Sequence, residues 1–499
     1  MARKRLAAIA LLLGAGLMVV SCSGGDEPGG TGEADGSTPD AADDGTVPQD
    51  GGGAVDATID HSTDAKDDAA DATKPWDGGD TGTTTDASID ARLVDASEDA
   101  SSDGGDDAAG GDGGTDAGEP VDASFDAGSD AGHVNTDMYD PNLIPKFELG
   151  IDPAGIAVFQ STLVADQKKW VHGTFKYGAT TLADVGLRRK GSSTFRALPG
   201  KVALKVKFDK YVPGQRFEGL TDLTLNNMVS DPTFLTERLA YHVFRSQGLP
   251  AQKANTARVF INDEDFGIYA NIETPNEDLL ARLFGASAST LYEAQYGGDW
   301  MPGQELGFDV QVGDGMRTDL SALFVSVQNA QPATLLPDVS GHLDTMRFLT
   351  YAATEATVGA YDGYAYGIWG SHNYFLAGDQ GGVFSQLPWS TDLTFSDRAG
   401  VVNAANPLPA GGGPTLLGRC KNDAACWASY KSTMQTVLAK YEALDLVNLA
   451  NTWHAQIEPL ALADPKREAS TAYHTSETTL LYGWIAARPG VVRAQLGLP

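Results

Sequence analysis

The sequence predicts an α+β fold of two lobes with a cleft between them, preceded by a long disordered acidic linker. Three observations predict it. The 499-residue chain carries 35 Lys and Arg against 67 Asp and Glu, a net charge of -32, yet residues 23–135 alone hold 30 acidic and 3 basic side chains. Trp76 and Phe125 are the only aromatics there, so the segment lacks the apolar area to offset an ordering cost of roughly 1 to 2 kcal/mol per residue. After it, strand-like alternation fills the first half of the remaining chain and helical periodicity the second.

The N-terminus reads as an export signal. Arg3, Lys4 and Arg5 precede an apolar run over 6–20 and the site Val19-Val20-Ser21-Cys22, which is similar to the lipobox of bacterial lipoproteins. About 15 apolar residues fall short of the roughly 20 that span a bilayer, so cleavage and lipidation of Cys22 are expected rather than a transmembrane anchor. Residues 1–22 are therefore assigned to a lipoprotein signal peptide and 23–137 to an Asp/Ala/Gly-rich linker. The linker repeats Asp-Ala-Ser-x-Asp-Ala from Asp86, Asp95 and Asp122 without the glycine spacing of β-helix calcium repeats. As a solvated coil it would span roughly 60 Å. The acidity excludes nucleic acid as a surface partner.

Residues 138–499 form the predicted domain. Segments 169–177, 183–188, 202–208 and 220–225 read as strands, the third with Lys205 and Lys207 opposite its apolar face. Asp231-Pro232 signals a helix whose stripe Leu235, Leu239, Val243 and Phe244 stops at Gly248. Segments 256–261 and 267–272 suggest a hairpin across 263–266, followed by a helix over 276–284. Residues 339–358 read as one helix, 373–376 and 383–388 as paired strands, and residues from 425 as mainly helical. Cys420 and Cys426 suit a local disulfide in an oxidising compartment; zinc is the weaker alternative, with no His or further Cys nearby.

The motifs resemble the CotH family of secreted, kinase-like proteins, named for a spore coat protein. The resemblance runs over residues 188–395, with a weaker tail. Arg188-Arg189-Lys190-Gly191-Ser192-Ser193-Thr194 is similar to the family's Arg-x-Arg-Gly-Asn-Ser-Ser element, and a lysine-rich strand follows. The segment 222–227, the helix 234–248, the hairpin ending in Glu273, and Pro388-Trp389-Ser390-Thr391-Asp392-Leu393-Thr394-Phe395 also match in order. The resemblance implies a two-lobed atypical protein-kinase-like domain that uses ATP and Mg2+.

Phosphoryl transfer needs phosphate donors, a carboxylate that orients the acceptor hydroxyl, and oxygen ligands for magnesium. Gly191 and Ser192 offer a small-residue turn; Lys190 and Lys205, or Lys207 in its place, offer the cation; Glu273 is a candidate to orient the lysine. Asp362 is the candidate acceptor-positioning base, Asn373 and Asp392 are the candidate magnesium ligands, and His372 is assigned a structural place. Each has a plainer reading as turn, cap or surface residue. Ser390 replaces the first Asp of the family's Asp-x-Asp, which removes one formal charge from the metal site.

The expected protein is a lipid-anchored kinase of the cell envelope, at the outer membrane or cell surface, acting on Ser or Thr of a surface protein; the alternative is a catalytically weak assembly or adhesion module. A hydrolase lacks its motifs here. Replacing Cys22 with Ala should move the protein out of the membrane fraction on cell fractionation. Unchanged, detergent-dependent recovery of that variant would exclude the anchor.

Overall fold

The computed structural model describes residues 137–367, 370–406 and 415–499. Cys22, the signal peptide and all of the linker but its last residue lie outside them.

The first lobe is built from β1 (Lys146–Ile151), α1 (Pro153–Gln160), α2 (Val164–Gln167), β2 (Val171–Tyr177), β3 (Thr180–Lys190), β4 (Ala203–Lys207), β5 (Asp222–Asn226), α3 (Thr236–Ser246), β6 (Ala254–Ile261) and β7 (Glu264–Ile272). The strands close a barrel in the order β1-β2-β3-β4-β5-β7-β6, with β1 running parallel to β6 at the seam. Closure leaves no open edge for another chain to pair with. Alternation fills the interior: Val171 and Phe175 of β2, and Leu204 and Val206 of β4, point inward, with Phe175 against Phe208 and Phe217 at ring-centroid distances of 5.0 and 4.9 Å.

The second lobe follows with α4 (Glu277–Phe284), β8 (Ala288–Ala294), β9 (Phe308–Val312), α5 (Thr318–Asn329), α6 (Leu335–Val339), α7 (Thr345–Val358), β10 (Tyr374–Asp379), β11 (Phe384–Pro388), α8 (Thr415–Asn422), α9 (Ala424–Ala443), α10 (Leu446–Ala463) and α11 (Thr471–Leu496). Its four-stranded sheet runs β11-β10-β8-β9. A separate, larger apolar core joins this sheet, the helices and α3; Phe244 of α3 meets Tyr351 of α7 at 5.4 Å. Two cores make two lobes, and α3 lies between the barrel strands β5 and β6 in sequence while packing with the second core. The disulfide Cys420–Cys426, with Cα atoms 5.0 Å apart, links α8 to the first turn of α9.

The structure corrects several boundaries. The helix expected over 339–358 starts only at Thr345, after α6 has ended at Val339, because Asp344 donates its N–H to Phe384 O (2.9 Å) and caps α7 by accepting from Arg347 N (3.0 Å). Asp231 does not start α3 directly: Phe234 takes a positive φ of 60°, and Asp231 reaches forward to accept from Thr236 N at 2.9 Å. The hairpin turn contracts to Asn262 and Asp263, both left-handed (φ 49° and 65°), as two-residue turns between twisted strands favour. Strands β8 and β9 escaped the expectation of a helix-rich second half, and Asn373 precedes β10 instead of starting it.

The connection after α10 fastens the lobes. Asp464 and Lys201, both almost fully buried, form an ion pair, and Asp464 also accepts from Ile268 N at 3.1 Å. Gly267 is needed there, since a Cβ would lie 1.9 Å from the Asp464 carboxyl carbon. Burial pushes the Lys201 ammonium below its ordinary range, with Asp464 pulling the other way. Arg196 and Glu468 add a two-point pair at 2.6 and 2.8 Å nearer the surface. In urea unfolding of the full chain, Lys201→Met should cost about 3 to 5 kcal/mol by leaving Asp464 charged and buried, and adding Asp464→Leu should recover much of it. A loss under about 1 kcal/mol for the single variant would show that the pair does not fasten the lobes.

Candidate functional site

On the barrel side, pairing brings Lys190, Ala203 and Asn226 to one end, because Lys190 pairs with Ala203 and Leu204 with Leu225. The buried Lys190 ammonium donates to Asn226 Oδ1, and Asn226 Nδ2 donates to Glu237 at 2.8 and 3.1 Å. Glu237 lies in the first turn of α3, where the helix dipole favours an anion. An ammonium, an amide and a carboxylate are thus joined in series. Gly191 (φ 95°) and Ser192 open the turn after β3, closed by Phe195 N to Ser192 O at 3.1 Å. Asn227 holds that turn through Thr194 O (2.9 Å) and Lys201 O (2.7 Å).

Lys205 faces a narrow gap with Lys190, Glu293, Phe375 and Trp389. Lys207 does not line it and lies 3.2 Å from Asp209 and 3.5 Å from Asp222. Glu273 corrects the expectation. Its buried carboxylate takes Arg282 Nε at 2.6 Å and Nη2 at 2.5 Å, and Lys253 N at 2.9 Å, so it ties α4 to the barrel and engages neither Lys190 nor Lys205.

On the opposite side, Asp362 sits in the loop between α7 and β10. Asn373 Nδ2 donates to Asp362 Oδ2 (2.9 Å) and to its carbonyl (3.0 Å), held by a left-handed backbone at Asn373 (φ 56°). His372 Nε2 lies 3.1 Å from Asp362 Oδ1, and its Nδ1 is 2.7 Å from Gly370 O. A carbonyl only accepts, so Nδ1 carries a proton, and the Asp362 contact is a hydrogen bond only when Nε2 carries one too. Trp389 links the two sides: its backbone N–H donates to Asn373 O at 3.1 Å, and Lys190 Nζ stands 5.3 Å from its ring centre. Beyond it Ser390 (φ 47°) donates to Asp392 Oδ1 at 3.2 Å, and Asp392 O accepts from Thr236 at 3.0 Å. Tyr361 is pushed up to about 12, chiefly by burial, with Arg398 lowering it and Asp392 and Asp362 raising it.

Sequence reasoning missed three residues. Glu237 lies off the apolar stripe of α3, yet it is buried and accepts from Asn226 at the end of β5. Glu355 accepts from Tyr364 N (3.0 Å) and Ala365 N (2.6 Å); a lone acid in the apolar run of α7 was a readable signal. His372 was set aside, yet it contacts Asp362.

For magnesium, the donors Asp392 and Asn373 are hard oxygens, the chemistry that ion prefers. Among the described residues no three His, Cys, Asp or Glu side chains are arranged to hold a metal ion. Asp392 and Asn373 supply their hard oxygens from separate places, Asp392 lining the groove beside Tyr361 and Asn373 bonded to Asp362. The gap between Lys190 and Trp389 has about 10 Å³ of free volume, while a groove of about 480 Å³ lies past Asp392, between Tyr361, Arg398 and Trp484.

Barrel lobe, helical lobe and a polar cluster between them define a two-lobed, mixed α/β protein. The family model described as CotH kinase protein matches residues 187–492, and the chain belongs to that kinase-like family. It is 23% identical over 297 residues to the inner spore coat protein H of Bacillus subtilis, covering 56% of this chain and 80% of that one. Among solved structures, the Helicobacter pylori proinflammatory kinase CtkA is 9% identical with a TM-score of 0.29, over 59% of this chain and 92% of that one. The Shewanella oneidensis HipA–HipB–operator complex gives 11% and 0.24, over 60% and 61%. Likeness at that level does not extend to site geometry.

Replacing Glu273 with Gln should lower stability by about 1 to 3 kcal/mol in urea unfolding, the value of hydrogen bonds to a charged group. No measurable loss would put the anchoring role of Glu273 in error.

Proposed function

We propose that the protein is a lipid-anchored kinase of the cell envelope that transfers the γ-phosphoryl of ATP to Ser or Thr of a surface protein. One observation carries the reading: Lys190 and the Asp362–Asn373 pair stand on either side of Trp389, the arrangement a phosphate cation and an acceptor base require. The lipobox-like signal at Cys22 and a relative that is an inner spore coat protein support the envelope location. The linker over 23–137 would hold the domain 138–499 away from the membrane.

In this reading the acceptor hydroxyl attacks the γ-phosphorus, its proton passes to Asp362, and the bond to the β-phosphate oxygen breaks to release ADP. Lys190, held by Asn226 and Glu237, and Lys205 bind phosphate oxygens, with the backbone of Gly191 and Ser192 beside them. Asp392 and Asn373 would hold Mg2+, which supplies charge neutralisation on the phosphates. Ser390 favours a second reading, a catalytically weak assembly or adhesion module, because one carboxylate then stands where the family has two.

Calorimetric titration of the full chain with ATP and Mg2+ tests this. The parent should bind weakly, Ser390→Asp should bind about 10-fold to 100-fold more tightly, and Asp392→Ala should not bind. Asp362→Ala should bind as the parent does and transfer nothing to a protein acceptor. If neither the parent nor Ser390→Asp binds, the kinase reading fails and the assembly module stands.

A further inference from the structure

Glu355 sits in the last turns of α7, is 2% exposed, and takes part in no step of the transfer above. Its oxygens accept separately: Oε1 from Tyr364 N at 3.0 Å and Oε2 from Ala365 N at 2.6 Å. Those amides follow Asp362 by two and three residues. Gly363, between them and Asp362, leaves no room for a side chain, because a Cβ there would lie 2.4 Å from Glu355 Oε1. The loop is pressed onto the carboxylate.

We propose that Glu355 is a positioning residue whose carboxylate, by holding the amides of Tyr364 and Ala365, sets where Asp362 meets the acceptor hydroxyl. This rests on the kinase reading above. Two acceptor oxygens match two successive N–H donors only while the group is ionised; the acid form turns one oxygen into a donor and leaves one amide poorly paired. Burial pushes Glu355 up to about 7, while the amides of Ala365 and Tyr364, the Tyr351 hydroxyl and His372 pull it down. The titratable groups around it are Tyr351 on α7, Tyr364 and Tyr366 in the loop, His372 and Tyr374 at β10, and Tyr430 on α9. Burial raises all five phenols, so they stay neutral. Below about pH 7 the loop therefore loses one of its two fastenings.

The test compares full-length parent, Glu355→Gln and Gly363→Ala by transfer kinetics across pH and by amide hydrogen exchange. Glu355→Gln keeps the shape but faces an NH2 group toward an N–H. Its kcat should fall roughly 100-fold, the cost of about 1 Å of misplacement, with KM for ATP little changed. The parent's kcat should rise with pH through about 7, and that limb should be absent from Glu355→Gln. Gly363→Ala, which crowds the loop but keeps the carboxylate, should lose kcat and retain the limb. The amides of Tyr364 and Ala365, corrected for intrinsic rates, should be protected in the parent and exposed in Glu355→Gln, whether or not transfer is measured. Equal protection in both, or an active Glu355→Gln with the parent's kcat and pH limb, overturns the proposal. A parent that transfers nothing while its amides are protected removes the kinase reading, and the positioning role falls with it although the anchoring contact stands.

Discussion

The buried ion pair between Lys201 and Asp464 is the constraint on which the relation of the two lobes depends. Lys201 follows the turn that opens at Gly191, and Asp464 caps the end of α10, so one contact joins the candidate phosphate turn to the helical lobe. Neither charge reaches water. Such a pair gains little over an apolar replacement, but breaking it strands a charge in the interior. It therefore acts as a positional lock more than as a source of stability, and Asn227, bonded to both Thr194 O and Lys201 O, carries its position to the turn.

A second buried charge sets stability and site geometry against each other. Glu355 is raised from an ordinary 4.5 to about 7, so its acid form favours the fold below pH 4.5 and that advantage is lost as pH rises through about 7. Charging it costs the fold on the order of 3 kcal/mol. The ionised form is nevertheless the one that matches two amides. A protein adjusted for stability alone would place Leu or Met in α7, which is otherwise apolar at Ala352, Ala353, Ala356 and Val358.

The elements that were legible in the sequence are those fixed by local pattern. Leu204 and Val206 alternating with Lys205 and Lys207 announced β4, and the stripe Leu235, Leu239, Val243 announced α3, because side-chain period follows backbone geometry. Asp362 and Asn373, which the structure joins by a hydrogen bond, were singled out through family motifs rather than through spacing. What escaped depends on partners distant in sequence. Glu273 sits where it would orient a lysine, but its partner Arg282 arrives from α4, and no period in the sequence reports that. Asn226 bridges Glu237 and Lys190, and its motif says nothing of that amide.

The gap between Lys190 and Trp389 connects these constraints to function. About 10 Å³ holds at most a water, whereas ligand pockets run to several hundred Å³, so under the proposed kinase reading a nucleotide would reach Lys190 through this gap by widening it. Two routes differ in cost. Parting Lys190 from the Trp389 ring forfeits a cation–aromatic contact of about 0.5 to 2 kcal/mol, while parting Lys201 from Asp464 costs about 3 to 5 kcal/mol. On that reading the Trp389 contact is the cheaper of the two to part, and the 464–468 connection would stay seated. The backbone N–H of Trp389 is bonded to Asn373 O, so the residue that carries the ring also touches the residue bonded to Asp362. The aromatic at the gap and the partner of the candidate base therefore share a backbone contact, while the ring turns about its own side-chain bonds.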